Sequence, residues 1–234
     1  MSESKNDDRS GTAKSAAKDS GPAKDAVPRA APVTPAQWMF LALVAFGTAA
    51  LDLWSKAWAI RRLSLPSRLH VPICQPPPGA QHYMYQRVPR HDHVTFIRDY
   101  LELRYAENCG GAWGLLHGAR ESLRKPFFLL VTVGAVIFIV HLYRTLEPGQ
   151  KAMRWALPLV LGGALGNLVD RVRLGYVVDF IDAHWRERYH WPTFNVADIA
   201  ITVGILLMLL EYIIGPKRTA PATPTAAAKK PAIS

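Results

Sequence analysis

The chain has 234 residues, a formal net charge of +10 and 50% hydrophobic residues. Its Lys and Arg side chains form no stripe and no nucleic-acid motif, which argues against nucleic acid as a partner; many flank apolar runs, where they suit anionic lipid. The two cysteines, Cys74 and Cys109, are too few for a disulfide framework and make no metal-ligand pair; they read as free thiols, with a pairing between them the alternative if both face an oxidising compartment.

Residues 1–36 are rich in Ala, Lys, Asp, Ser and Pro. Such a segment cannot bury enough apolar surface to offset its ordering entropy, and it reads as a disordered tail. Residues 37–215 hold four apolar stretches of the roughly 20 residues that a bilayer core demands. The first runs from Trp38 to Ile60. "AWA" at Ala57–Ala59 has the form of a signal-peptide cleavage site, but Asp52 and Lys56 stand just ahead of it and a long polar tail precedes it, so the helix is expected to be retained. Residues 61–125 follow, with a Pro-rich, irregular insert over 65–93. Val94, Phe96, Tyr100, Leu101, Leu103 and Tyr105 then predict one or two short strands, and "NCGGAWG" supplies three glycines where backbone can approach closely. The second span covers Pro126 to Tyr143, the third Met153 to Val172 and the fourth Val196 to Gly215. Residues 216–234, Ala, Pro, Thr and Lys, read as a second disordered tail.

Four spans put both tails and the short "RTLEPGQKA" loop on one side. Lys and Arg in those segments favour that side as cytoplasmic, and the many Arg residues of the long 61–125 segment count little because it is long.

Polar residues interrupt the apolar spans in register. Asn167, Asp170 and Arg171 stand at i, i+3 and i+4 and share a helical face; Asn195 and Asp198 stand at i and i+3 at the mouth of the fourth span. Spans three and four are joined by a short connection, so Asn167, Asp170, Arg171, Asp179, Asn195 and Asp198 are expected to converge near the outer interface. Two carboxylates sharing a site can split their protonation, one activating water while the other donates a proton, with no metal and no Ser or Cys nucleophile. No His accompanies these acids, and "HWRERYH" lacks a zinc-like register, so neither a metal nor a cofactor is expected. Plainer readings stand beside these. Asp170 and Arg171 can be an ion pair, Asn195 a helix cap, Asp52 and Lys56 a helix pair with the lysine snorkelling outward, and Asp182 an exposed acid. Acids beside apolar spans are otherwise functional candidates, Asp179 and Asp198 first. A membrane carrier with a polar relay would want its polar groups at mid-membrane instead.

"NCGGAWGLL", "GGALGNLVDRVRLGYVVDFID" and "FNVADIAI", with "LDLWSK" in the first span, resemble the signature blocks of lipoprotein signal peptidase, or signal peptidase II. The resemblance runs in order from about Trp38 to Gly215. It implies an all-α polytopic inner-membrane protein of four transmembrane helices with a small extracytoplasmic β-sheet at the membrane surface. It implies an aspartic endopeptidase that cleaves prolipoproteins before a diacylglyceryl-modified cysteine, as a monomer with both termini cytoplasmic and membrane lipid as its surroundings. Carried over by motif, the dyad is Asp179 and Asp198. Asn108, Gly110, Asn167, Asp170, Arg171 and Asn195 would line or brace the site, with Asp52 and Lys56 in support. Asp170 competes for the dyad, but its neighbour Arg171 is expected to occupy it, whereas a loop can aim Asp179 at Asp198. The insert at 65–93 and Cys109 and Gly111 of "NCGGAWG" depart from the usual pattern. A specialised or regulatory paralogue of the same fold is therefore the alternative to a housekeeping peptidase.

Overall fold

The computed structural model describes residues 32–67, 87–90, 93–111, 115–116, 119–147, 149–186 and 188–214. The expected tails lie almost wholly outside these residues, as does most of the Pro-rich insert.

Four helices carry the fold: α1 (Pro35–Leu63), α2 (Glu121–Arg144), α3 (Lys151–Arg173) and α4 (Val196–Ile214). Each is long and apolar enough to cross a membrane. The start of α1 is written in its first residues. Pro35 takes the opening position, the Thr34 hydroxyl accepts from the Gln37 amide, and the Gln37 side chain accepts from the Thr34 amide. The helices α1, α2 and α3 begin a few residues before the predicted apolar runs, because the hydrogen-bonded backbone continues through polar end residues.

α3 is the central helix, packed against α4, α1 and α2 in decreasing extent. Bilayer helices gain little from burying apolar side chains against one another, so close backbone approach matters. Glycine supplies it here. A methyl group at Gly163 would collide with the Ala197 carbonyl of α4, and one at Gly166 would collide with the Asp52 carboxylate of α1.

Two small sheets cap one end of the bundle. β1 (Ser64–Pro66) pairs with β2 (Arg87–Pro89), so the Pro-rich insert leaves and returns through a paired stem. Arg87 secures the stem, its Nε donating to Ser64 Oγ at 2.7 Å and its amide to Glu107 Oε1 at 2.9 Å. The larger sheet is antiparallel, in the order β3 (Val94–Ile97), β4 (Leu101–Asn108), β5 (Val177–Trp185), β6 (Tyr189–His190). The one or two short strands expected between Val94 and Tyr105 are β3 and β4. The stretch after α3, where a loop was expected to aim Asp179, is instead the β5–β6 hairpin, turning through Arg186 at φ 46°. Its strand signal is muted because Val177, Val178, Asp179 and Phe180 are all buried, which erases the alternation of a half-exposed strand. Val178 and Phe180 join Ala59, Leu63, Tyr105 and Tyr176 in a core that seats the sheet on the end of α1. Cys109, just past the end of β4, is disulfide-bonded, and no free cysteine stands among the described residues, which corrects the reading of two free thiols; Cys74 itself lies outside those residues.

Candidate active site

The start of α4 is built by "FNVAD". Asn195 caps the helix, its Oδ1 accepting from the Asp198 amide at 3.1 Å, while Asp198 Oδ2 accepts from the Asn195 amide at 3.2 Å. This reciprocal cap places Asp198 in the first turn, where the aligned peptide dipoles favour negative charge. Its other oxygen accepts from Asn167 Nδ2 of α3 at 3.0 Å.

Asp179 arrives from the opposite direction. It sits on β5 opposite Ala106 of β4, and the Phe194 carbonyl accepts from the Phe180 and Ile181 amides, tying β5 to the approach of α4. The expected loop is therefore a strand held on both edges, which fixes the carboxylate more firmly than a loop would. Asn195 Nδ2 donates to Asp179 Oδ1 at 2.6 Å. Burial pushes the Asp179 carboxyl up from 3.8 to about 7, and the charge of Asp198 adds to the rise. Side-chain hydrogen bonds from Asn195 and Asn108, and the more distant charge of Lys56, pull the other way.

A second group of acids lies behind this one. Lys56 Nζ stands 2.8 Å from Asp52 Oδ2 and 3.2 Å from Asp170 Oδ2, and donates to Asn167 Oδ1 at 2.8 Å. Lys56 is only 1% exposed, so the expected snorkelling lysine is corrected to a buried cation. The reason lies in α1: Ala45, Ala49, Asp52, Lys56 and Ala59 fall on its buried stripe, directed into the bundle. Asp52 Oδ1 also accepts from the Ala197 amide at 2.9 Å, and Asp170 Oδ2 from the Val178 amide at 3.1 Å. Asp170 thus fixes the start of β5. Its expected pairing with Arg171 is replaced by Lys56. Adjacent helical residues point in different directions, and Arg171 turns instead to the Gly110 carbonyl at 3.2 Å and lies over the Phe128 ring at 4.2 Å. Asn108 Oδ1 accepts from the Gly110 amide at 3.0 Å, so "NCGG" is held in place by its own asparagine and by Arg171.

The expected dyad and every residue expected to support it thus fall in one connected region. Asp182 does not match its expectation of exposure: it is fully buried, 2.8 Å from Arg104 Nε and 3.3 Å from His190 Nδ1. Arg104 was not singled out, and His184 and His190 were set aside as metal ligands because "HWRERYH" lacks a zinc-like register. The signal was the D-x-H spacing of Asp182 and His184, readable only once the segment is known to be a strand.

An open groove of about 1010 Å³ runs along the sheet, lined among others by Asn108, Asp179, Glu102, Arg104 and Trp191. A fixed pair of acids, one of them poised near neutrality at the groove wall, is suited to general acid–base attack of water on a bound amide.

The family model described as Signal peptidase (SPase) II matches residues 44–214. A lipoprotein signal peptidase of Anaeromyxobacter sp. is 40% identical over 187 residues, covering 75% of this chain and 85% of that protein. One from Syntrophotalea carbinolica is 49% identical over 120 residues, 51% of this chain and 73% of that protein. A solved bacterial membrane enzyme superposes with a TM-score of 0.54 at 27% identity, covering 77% of this chain and 93% of that one.

Proposed function

The chain belongs to the signal peptidase II family, enzymes that remove signal peptides from prolipoproteins, and from that premise we propose that Asp179 and Asp198 are its catalytic dyad. The observation that carries the reading is Asn195, whose side chain donates to Asp179 at 2.6 Å while its amide donates to Asp198 at 3.2 Å, binding both acids to one residue. Asp198, an acceptor of two N–H groups, takes a proton from the attacking water. Asp179, protonated near neutrality, donates to the oxygen of the scissile carbonyl. The water oxygen bonds to the carbonyl carbon. Collapse of that intermediate, with proton transfer to the nitrogen, breaks the C–N bond and leaves a new carboxylate and a new amine.

The substrate is a prolipoprotein cut before a diacylglyceryl-modified cysteine. Its lipid stays in the bilayer while the peptide lies in the groove beside Asp179, and this anchoring lowers the entropic barrier to alignment. Arg171 acts as a positioning residue, holding the Gly110 carbonyl and so the backbone next to Asn108. The helices make the enzyme a multi-pass membrane protein. The lysine-bearing tails are assigned to the cytoplasm and the sheets to the outer face of the inner membrane, with one chain as the working unit.

The test is incubation of the purified full chain in detergent with a diacylglyceryl-modified prolipoprotein peptide, products read by mass spectrometry. Cleavage that leaves the lipidated cysteine at the new N-terminus is expected. A folded parent chain that leaves the peptide intact would sink the substrate; cleavage by Asp179→Asn or Asp198→Asn would sink the dyad.

A further inference from the structure

Beyond the peptidase site, the β5–β6 hairpin gathers three donor side chains that the proposed cleavage does not use. We propose that Asp182, His184 and His190 form a binding site for a divalent transition-metal ion of the zinc class at the rim of the groove.

The register creates the cluster. Asp182 and His184 are two residues apart on β5 and so project from the same face, while His184 and His190 are directly paired across the hairpin. The two imidazoles stack with centroids 5.0 Å apart and an interplanar angle of 26°. Both oxygens of Asp182 lie 3.3 Å from His190 Nδ1, and one donor atom from each of the three residues falls within 4.8 Å of the others. A tetrahedral zinc ion with bonds of about 2.0–2.2 Å places neighbouring donors about 3.3–3.6 Å apart, so the Asp182–His190 separation already fits, and binding requires the His184 ring to rotate out of its stack on His190.

The donor set points to the metal class. Two imidazoles and one carboxylate suit zinc and its first-row neighbours far better than calcium or magnesium, which prefer all-oxygen shells. Asp182 and His184 are buried and held by the sheet, whereas the His190 side chain is 37% exposed and gives the ion an entry path. Arg104 Nε pairs with Asp182 Oδ2 at 2.8 Å, and its side chain is about half exposed, so it can remain on that oxygen as an outer-shell partner while Oδ1 serves as ligand. Three protein donors leave a position for water or for a group of the peptide. Asp182 and His190 line the same groove as Asp179, so a bound ion stands beside the peptide path.

The experiment is titration of the untagged full chain in detergent with Zn²⁺ by calorimetry and with Co²⁺ by visible absorption. His190→Gln is compared with His93→Gln, which changes another imidazole at the same groove. One ion per chain is expected, with tetrahedral-type Co²⁺ bands, unchanged in His93→Gln and weakened at least about ten-fold in His190→Gln. No binding by the parent, equal affinity in His190→Gln, or equal loss in both variants would each overturn the site and leave Arg104–Asp182–His190 as a structural contact only.

Discussion

Two pairs of acids stand side by side in this molecule, all of them buried except the half-buried Asp198, yet their surroundings differ in one respect. Asp52 and Asp170 have a lysine ammonium between them, at 2.8 and 3.2 Å. Asp179 and Asp198 are held instead by amide groups, of Asn195 and Asn108 on the first and of Asn195 and Asn167 on the second. The first pair is a clamp, its charge offset by the lysine, joining α1 to α3 and, through the Ala197 and Val178 amides, to α4 and β5. The second has no ion pair among the described residues, and burial, with the charge of Asp198, lets Asp179 hold a proton near neutrality. The same residue type becomes scaffold or acid according to whether a cation reaches it. Asn167 touches both groups: its oxygen accepts from Lys56 and Asn195, and its nitrogen donates to Asp198.

The contrast breaks most sharply at the dyad. Asp179→Asn and Asp198→Asn are each expected to lower kcat/KM by about 10³-fold or more, and the double variant no further, because the two acids act as a unit. A double variant far below either single one, in a peptide-cleavage assay, would mean they act separately. Lys56→Met tests the clamp. Leaving two carboxylates buried without their cation is expected to cost about 3–5 kcal/mol, read as a fall in unfolding temperature in detergent. Adding Asp52→Asn should restore part of that loss; an unfolding temperature unmoved by Lys56→Met would remove the lysine from its central place.

A smaller effect sharpens the comparison at Asn195. Its hydrogen bond holds the Asp179 carboxyl lower than burial alone would. Asn195→Ala is expected to reduce kcat/KM about ten-fold and to move the alkaline limb of its pH profile, set near 7 by loss of the Asp179 proton, to higher pH. An unmoved limb would separate that limb from Asp179. The smallest effect is on stability. Asp179 is raised in the folded state, so its favourable contribution is present below about 3.8 and is lost as pH rises through about 7. Denaturation followed over that window should show parental stability declining with pH, and a flatter dependence in Asp179→Asn.

Much of this was legible in the residues themselves. Four spans follow from apolar length, and the convergence of Asn167, Asp170, Asn195 and Asp198 follows from helical spacing and a short connection. What spacing could not supply was direction. Lys56 was read as snorkelling because nothing local says that α1 turns its Asp52–Lys56 face inward; that depends on the stripe of small residues and on Gly166 opposite. Arg171 was assigned to Asp170 by adjacency, although neighbours on a helix diverge. The β5 strand was hidden by burial on both faces, and with it the buried state of Asp182 and His184.

The most direct measurement is cleavage per folded molecule for four single variants, Asp52→Asn, Asp170→Asn, Asp179→Asn and Asp198→Asn, each with its unfolding temperature. The expected result is that the first two lose unfolding temperature and cleave in proportion to the folded fraction, while the last two stay folded and do not cleave. Cleavage by either of the last two, or its complete loss in Asp170→Asn at an unchanged unfolding temperature, would contradict the division into clamp and dyad.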